Sequence, residues 1–366
     1  MSLSLLLIIL LGSSSLVYLL SIASPLLAFN MTSEEKQKKE NPMSILICAR
    51  NEADNLSKYL PLIFAQKDVE FEVVIVDDAS WDSTADVLEE LQASFPQLVV
   101  VKISEEQKRT AGKKMALTLG IKRAKYEHLL LTDADCEPES DQWAQRMNIH
   151  MQKGLVLGYG AYRKEVGFLN KLIRFDTWSS SSHFLGSALR GRPYIGVGRN
   201  MGYSKEIYEE AGGFKRHYHI MSGDDDLLVN QIANKDNCSV CIDEGSFTYT
   251  AAPSAYSTWL RVKTRHLTTS PLYKSSTRNM YRIKHGSLLL FYGLLIVCLA
   301  LQCPLWQVLA VFIGKTLIQL LISMPSIKKL KETDLLALLP ILEPVNLIIN
   351  GLAIMRMKWS KTISWK

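Results

Sequence analysis

A chain of 366 residues, 48% of them hydrophobic, is long enough to fold around a sizeable core, and that composition excludes intrinsic disorder. The formal net charge of +6 raises the question of nucleic acid. The Lys and Arg residues gather beside apolar runs, however, which points to a membrane surface and away from a nucleic-acid partner.

The run Leu3 to Phe29 is nearly free of charge and exceeds the roughly 20 residues that cross a bilayer. It lacks the basic leading segment of a cleaved signal peptide, and its apolar part is longer than such peptides use, so 1–29 is expected to be a transmembrane anchor. Residues 30–42 read as a polar linker. A soluble domain is expected over 43–285 and a second membrane region over 286–366. There Ser287–Cys303 and Leu305–Met324, separated by Pro304, form a hairpin. The segment Leu335–Met355 holds Pro340, Glu343 and Pro344, and reads either as a span or as a re-entrant segment.

Flanking cations set the orientation, because cytoplasmic loops retain Lys and Arg. Lys36, Lys38 and Lys39 follow the first span; Arg278, Arg282 and Lys284 precede the second; Lys328, Lys329 and Lys331 follow the third. The link between the second and third spans has none. The middle region is therefore expected in the cytoplasm of a multi-pass protein of the bacterial inner membrane. Re-entry of the last segment would keep Arg356, Lys358 and Lys361 on the same side. In that compartment Cys48, Cys136, Cys238, Cys241, Cys298 and Cys303 read as free thiols, and the single C-x-x-C pair, Cys238 and Cys241, as buried.

Within 43–285, apolar runs Ser44–Cys48, Glu72–Val76, Leu98–Ile103 and His128–Leu131 alternate with helical patterns over Ala53–Gln66, Ser83–Ser94, Gly112–Ala124 and Asp141–Gln152. Such alternation predicts βαβ units and a mostly parallel sheet. Ligands bind beyond the carboxyl ends of such strands. Those ends carry Ala49, Arg50, Asn51 and Glu52, then Asp77 and Asp78, then Asp133 and Asp135.

Three acidic elements follow. In HLLLTDADCEP, Asp133 and Asp135 offer two hard oxygen ligands suited to Mg²⁺ or Mn²⁺. In FEVVIVDDASWDST, Asp77 and Asp78 end a strand, where a carboxylate can accept from a nucleobase N–H, while Asp82 or Ser83 caps the next helix. In SGDDDLLVNQI, Asp224, Asp225 and Asp226 open a helix. One or two suit the positive end of its dipole, leaving another as a general base for a hydroxyl nucleophile. His217 and His219 precede this run, and FDTWSSSSHF around Trp178 reads either as a segment on the membrane or as core.

The ordered set ICARNEADNL, VVIVDDASWDST, LLLTDADC, VGRNMGYSKEIYEEAGGF, GDDDLL and TRH resembles the inverting family 2 glycosyltransferases of the GT-A fold, over about residues 43–270. The resemblance implies a nucleotide-sugar-binding α/β domain. Ala49, Arg50 and Glu52 would line the nucleotide pocket, with Asp77 and Asp78 at the base and Lys113 near the nucleotide. Asp133 and Asp135 would hold metal and diphosphate. Gly198, Arg199 and Asn200 would shape the donor-sugar and acceptor site. Asp224 aligns with the family's base, with Asp225 a rival because Gly223 stands where the family often has Glu.

The family's Q-x-x-R-W signature reads Val262, Lys263, Thr264, Arg265, His266, with Arg265 toward the diphosphate and His266 beside it. That alteration points away from a processive polysaccharide synthase, which remains the alternative. A single transfer from a UDP- or GDP-sugar to a lipid or glycan acceptor is expected. A strand-one turn without G-x-G-x-x-G argues against a dinucleotide oxidoreductase. Retention of all three acidic elements argues against a silent scaffold.

Overall fold

The computed structural model describes residues 2–31, 41–108 and 112–359. Most of the expected linker, with Lys36, Lys38 and Lys39, lies outside the described residues, as does Lys361. The first apolar run forms α1 (Leu3–Leu27), continued by a 3-10 turn over Ala28–Met31. Alternation then produces β1 (Met43–Ala49), α2 (Ala53–Phe64), β2 (Phe71–Asp78), α3 (Thr84–Ser94), β3 (Leu98–Ile103), α4 (Lys114–Arg123) and β4 (His128–Asp133). These follow the expected elements closely. β1 is buried along its whole length, as a strand covered on both faces by helices must be.

The next part alternates less regularly. It contains β5 (Glu137–Pro138), α5 (Trp143–His150), β6 (Leu155–Leu157), β7 (Gly160–Tyr162), α6 (Phe168–Leu189), β8 (Met201–Ser204), α7 (Lys205–Glu210), α8 (Asp226–Ile232), β9 (Cys238–Val240), β10 (Thr248–Thr250) and α9 (Tyr256–Leu267). The main sheet runs β3-β2-β1-β4-β8-β6-β9, and β5-β10-β7 form a second, smaller one. The first four strands are parallel, with β8 antiparallel to both β4 and β6. The chain leaves β1 toward β2 and β3, then returns to the other side of β1 as β4. The β1/β4 boundary is thus a switch point, where a ligand crevice opens at the carboxyl ends. Cys48 and Asp133 sit opposite one another at that end.

Three long helices complete the chain: α10 (Ser275–Ala300), α11 (Leu305–Lys329) and α12 (Leu339–Trp359). Together with Leu3–Asn30 they make four helical segments long and apolar enough to cross a membrane. α10 begins well before Ser287, so its first turns carry Arg278, Arg282 and Lys284 in the helix itself. α1 packs on α10 and α11, with Leu11, Phe291, Cys298 and Val308 in one buried cluster. The last segment, read two ways from sequence, is helical through Pro344 and packs alongside α9.

The loop after α11 docks on the α/β part. Lys331 lies 2.9 Å from Glu139, and the buried Arg174 of α6 pairs with both Glu332 and Asp334. Gly186 of α6 faces the backbone of Pro25 in α1, where an added Cβ would meet the Pro25 carbonyl oxygen at 2.1 Å. Trp178, on the same helix, is 3% exposed and belongs to the core, which decides between its two sequence readings.

Candidate active site

Two loops at the carboxyl ends of β1 and β2 are stitched together by hydrogen bonds. Asn51, at φ 55°, donates its N–H to Ser80 Oγ (3.0 Å) and accepts the Trp81 N–H on Oδ1 (3.0 Å). Glu52 donates its N–H to Thr84 Oγ1 at 2.9 Å. Asp82 accepts from Thr84 N–H at 3.0 Å and so acts as the expected cap. Arg50 lies over the Trp81 ring at 5.0 Å and reaches Glu105 at 3.2 Å, which leaves a flat cationic surface at the strand end. Ala49 is buried where β1 enters this loop.

Asp77 and Asp78 differ in what they hold. Asp77 accepts the Ser80 N–H at 3.1 Å and shapes the turn. Asp78, 1% exposed, pairs with Lys108 Nζ at 2.8 Å. A base N–H reaching Asp78 would therefore share it with Lys108.

Deeper in the crevice the carboxylates converge. Lys113 Nζ donates to Asp133 Oδ1, and the charges of Asp133 and Asp224 both act on that ammonium. Burial alone would lower Lys113, but Asp133, Cys48 and Asp224 outweigh it and hold it above the ordinary lysine range. Burial likewise pushes Asp133 up, while Lys113, Arg199 and Arg265 bring it below the usual carboxylate range. Asp135 goes the other way, raised by burial and then by Asp133. Ligand atoms of Asp133, Asp135 and Cys136 lie within 4.8 Å of one another. Burial pushes the Cys136 thiol well up, so it stays protonated. What remains is a pair of like-charged oxygen donors, which fits a hard divalent cation such as Mg²⁺ or Mn²⁺.

The acidic trio divides its labour. Asp225 accepts the Gly198 N–H on Oδ2 at 2.9 Å and the Asp226 N–H on Oδ1 at 2.7 Å. Asp226 accepts from Thr269 and Tyr273 hydroxyls, which ties α8 to the chain after α9. Among the described residues Asp224 accepts from its own N–H and from no neighbour, and burial followed by the Asp225 charge raises it to about 6. Gly198 thus contributes through its backbone.

The loop before the trio is clamped by a residue the sequence reading passed over. Lys114, 3% exposed, donates to the carbonyls of His217 (2.9 Å), Ile220 (2.6 Å) and Ser222 (2.6 Å). Gly112, at φ 142°, lets the same backbone approach: an added Cβ would meet the Met221 oxygen at 2.6 Å. No sequence pattern separates Lys114 from its neighbour Lys113. His217 is buried behind this loop against Phe214, and His219 is exposed.

Asn200 is a correction. Its side chain is fully buried, accepts from Trp143 Nε1 at 3.0 Å and donates to the carbonyls of Tyr159 and Ser246, so it braces the core and does not line the cleft. Arg199 does face the carboxylates, acting on Asp133 and Asp135 from over the Tyr162 ring at 4.5 Å. From α9, Arg265 acts on Asp133, and its Nη2 lies 3.5 Å from His266 Nε2. Among the described residues the six cysteines are free and buried. Cys241 lies near His150 and Asp243, whose 2.9 Å ion pair accounts for that cluster.

A mostly parallel sheet with acidic strand ends converging at its switch point defines a nucleotide-binding α/β domain of the GT-A class. Residues 44–212 match the family model described as glycosyl transferase family 2, and the chain carries a glycosyltransferase domain of that family. Over 185 residues the chain is 24% identical to the glycosyltransferase AglE of Haloferax volcanii, covering 50% of this chain and 58% of that protein. It is 26% identical to a poly-beta-1,6-N-acetyl-D-glucosamine synthase of Staphylococcus aureus, over 36% of this chain and 31% of that one. The chain thus spans from under a third to under three fifths of these relatives. Among solved structures it is similar to the mannosyltransferase PcManGT from Pyrobaculum calidifontis in complex with GDP-Man and Mn²⁺. That likeness has a TM-score of 0.59 at 18% identity, covers 96% of this chain and 100% of the other, and concerns the fold.

Proposed function

We propose that this glycosyltransferase moves a sugar from a nucleoside-diphosphate sugar to a hydroxyl of a lipid or lipid-linked acceptor, in a single transfer that inverts the anomeric centre at the cytoplasmic membrane face. The observation that carries the reading is Asp224, an uncommitted carboxylate raised to about 6 beside the Lys113–Asp133 pair. A base poised near neutrality accepts the acceptor proton while remaining ionised at working pH. Direct attack then displaces the nucleoside diphosphate with no covalent enzyme intermediate.

Arg50 on Trp81, Glu52 and Asp78 bound the nucleotide side of the crevice, and Asp77 shapes its turn. Asp133 and Asp135 would hold Mg²⁺ or Mn²⁺, which when bound supplies charge neutralisation for the departing diphosphate. Lys113, Arg199 and Arg265 add fixed positive charge around the same position, with His266 beside Arg265. The Mn²⁺ and GDP-Man of PcManGT and its fold support this arrangement by likeness. Basic residues at the α/β ends of α10 and α11 support the cytoplasmic orientation.

The test is transfer from radiolabelled UDP- and GDP-sugars to native membrane lipids by the full chain, its Asp224→Asn and its Asp225→Asn variants. Product with one added sugar that disappears with Asp224→Asn supports the reading. A long polymer, or transfer unaffected by both substitutions, overturns it.

A further inference from the structure

The turn that joins α10 to α11 places two sulfurs side by side. The Cys303 N–H donates to the Cys298 carbonyl at 2.9 Å and the Gln302 N–H to the Leu299 carbonyl at 3.2 Å, with Gln302 left-handed at φ 50°. This nested pair of bonds around a left-handed residue, just past the helix cap Leu301, is a Schellman motif. Its geometry sets the third residue before the cap against the second residue after it, a contact that apolar side chains usually make. Here both positions are cysteine. Cys298 is 0% exposed and Cys303 6%, and the two free thiols hydrogen-bond to one another in a cluster with Leu11, Phe291 and Val308. Leu301 and Gln302 beside them are exposed, so the pair lies at the rim of that cluster.

Two thiols filling this contact as small apolar groups are a sufficient account where the compartment is reducing. The distribution of cations points to the other side. Residues 301–304 hold no Lys or Arg, whereas Arg278, Arg282 and Lys284 lie near the start of α10 and Lys328 and Lys329 in the last turn of α11. By the positive-inside rule the turn faces away from the cytoplasm, on the side where disulfides form and persist.

We propose that Cys298 and Cys303 are a modification site, oxidised on the exterior face to a disulfide that closes the turn between α10 and α11. The inference rests on the cytoplasmic orientation proposed above. The two thiols give up two protons and two electrons, one S–S bond forms between them, and the disulfide of an exterior thiol oxidoreductase is reduced to a dithiol. The 2.9 Å bond from the Cys303 N–H holds the two Cα atoms within about 7 Å of one another, the reach of a disulfide. The closed turn fixes the outer end of a hairpin whose inner end docks on the α/β part through Lys331, Glu332 and Asp334.

The test counts thiols in the full chain. Cells are quenched in acid, denatured and treated with a maleimide-linked polyethylene glycol, with and without prior reduction. Of the six cysteines, four are expected to be tagged before reduction and six after it, while Cys303→Ala is expected to give five in both. Six tags before reduction overturn the proposal, and a loss of two tags that persists in Cys303→Ala overturns its assignment to this turn. Membranes treated with copper phenanthroline then separate the causes. Four tags after that oxidant, with six in untreated cells, mean that the sulfurs meet but face a reducing side, so the proposed orientation fails as well. Six tags even after the oxidant mean that the turn does not join the sulfurs, and the orientation and transfer readings stand.

Discussion

Lys113 donates to Asp133 across the cleft, joining the start of α4 to the end of β4 inside a group of acidic side chains. Its ammonium therefore sits where a divalent cation and a diphosphate would both be felt. Lys113→Met removes a charge that repels the cation and attracts the nucleotide. Mn²⁺ alone is expected to bind roughly tenfold more tightly, and the donor nucleotide roughly tenfold more weakly, by titration calorimetry. Shifts of the same sign in both would place Lys113 outside the site.

Asp224→Asn and Asp225→Asn are expected to fail differently. Removing a general base costs about a hundredfold to ten-thousandfold in turnover, and Asp224→Asn should lie in that range with donor binding kept. Asp225 receives the Gly198 and Asp226 amides, so Asp225→Asn should lower stability by about 1 kcal/mol and turnover less. Because ionised Asp224 is the working form and burial raises it to about 6, the rate should climb with pH through that value. A flat profile between pH 5 and 7 would reassign the base.

The same shift has a stability consequence of opposite sign. A carboxyl whose folded pKa exceeds its ordinary value favours the folded state only while protonated, and that contribution is lost as pH rises through the folded pKa. Asp224→Asn should therefore stabilise the chain by about 1–2 kcal/mol at pH 8 and by little at pH 4, read from denaturation at the two pH values. A destabilised variant at pH 8 would show that Asp224 has a fixed partner.

How far the sequence reached depended on where each signal lived. β1 to β4 and their helices were readable because parallel strands buried on both faces are continuous apolar runs, bounded here by acidic strand ends. β8, β6 and β9 are three or four residues long, too short to show a period. Asn200 sits beside Gly198 and Arg199 in a single motif, yet the turn before β8, closed by the Asn200 N–H on the Val197 carbonyl, sends its side chain to Trp143. Arg174 and Lys114 escaped notice because their partners lie far away in sequence: Glu332 and the 217–222 carbonyls.

Lys114→Met would leave three buried carbonyls without a donor while keeping the aliphatic stem. The expected cost is about 2–4 kcal/mol, concentrated in the loop before Asp224. Hydrogen exchange should rise over residues 217–226 and stay unchanged in β1 and β2, and turnover should fall more than donor affinity. Uniform exchange across the sheet would mean that Lys114 supports the whole fold and not the placement of this loop.

Among the apolar helices, Glu343 accepts from Tyr18 at 2.6 Å and Tyr292 at 2.8 Å, and also pairs with Lys315 and Gln319. It therefore joins α12 to α1, α10 and α11 through one side chain. Glu343→Leu leaves Lys315 buried without a counter-charge, which should cost about 3–5 kcal/mol. Adding Lys315→Met removes the stranded charge and should restore most of that loss, because a matched apolar pair is often as stable as the ion pair it replaces. Unfolding of both variants in lipid nanodiscs measures the recovery. If the double variant is no better than Glu343→Leu, the tyrosine and glutamine bonds to Glu343 hold α12 in place, and the charge pair does not.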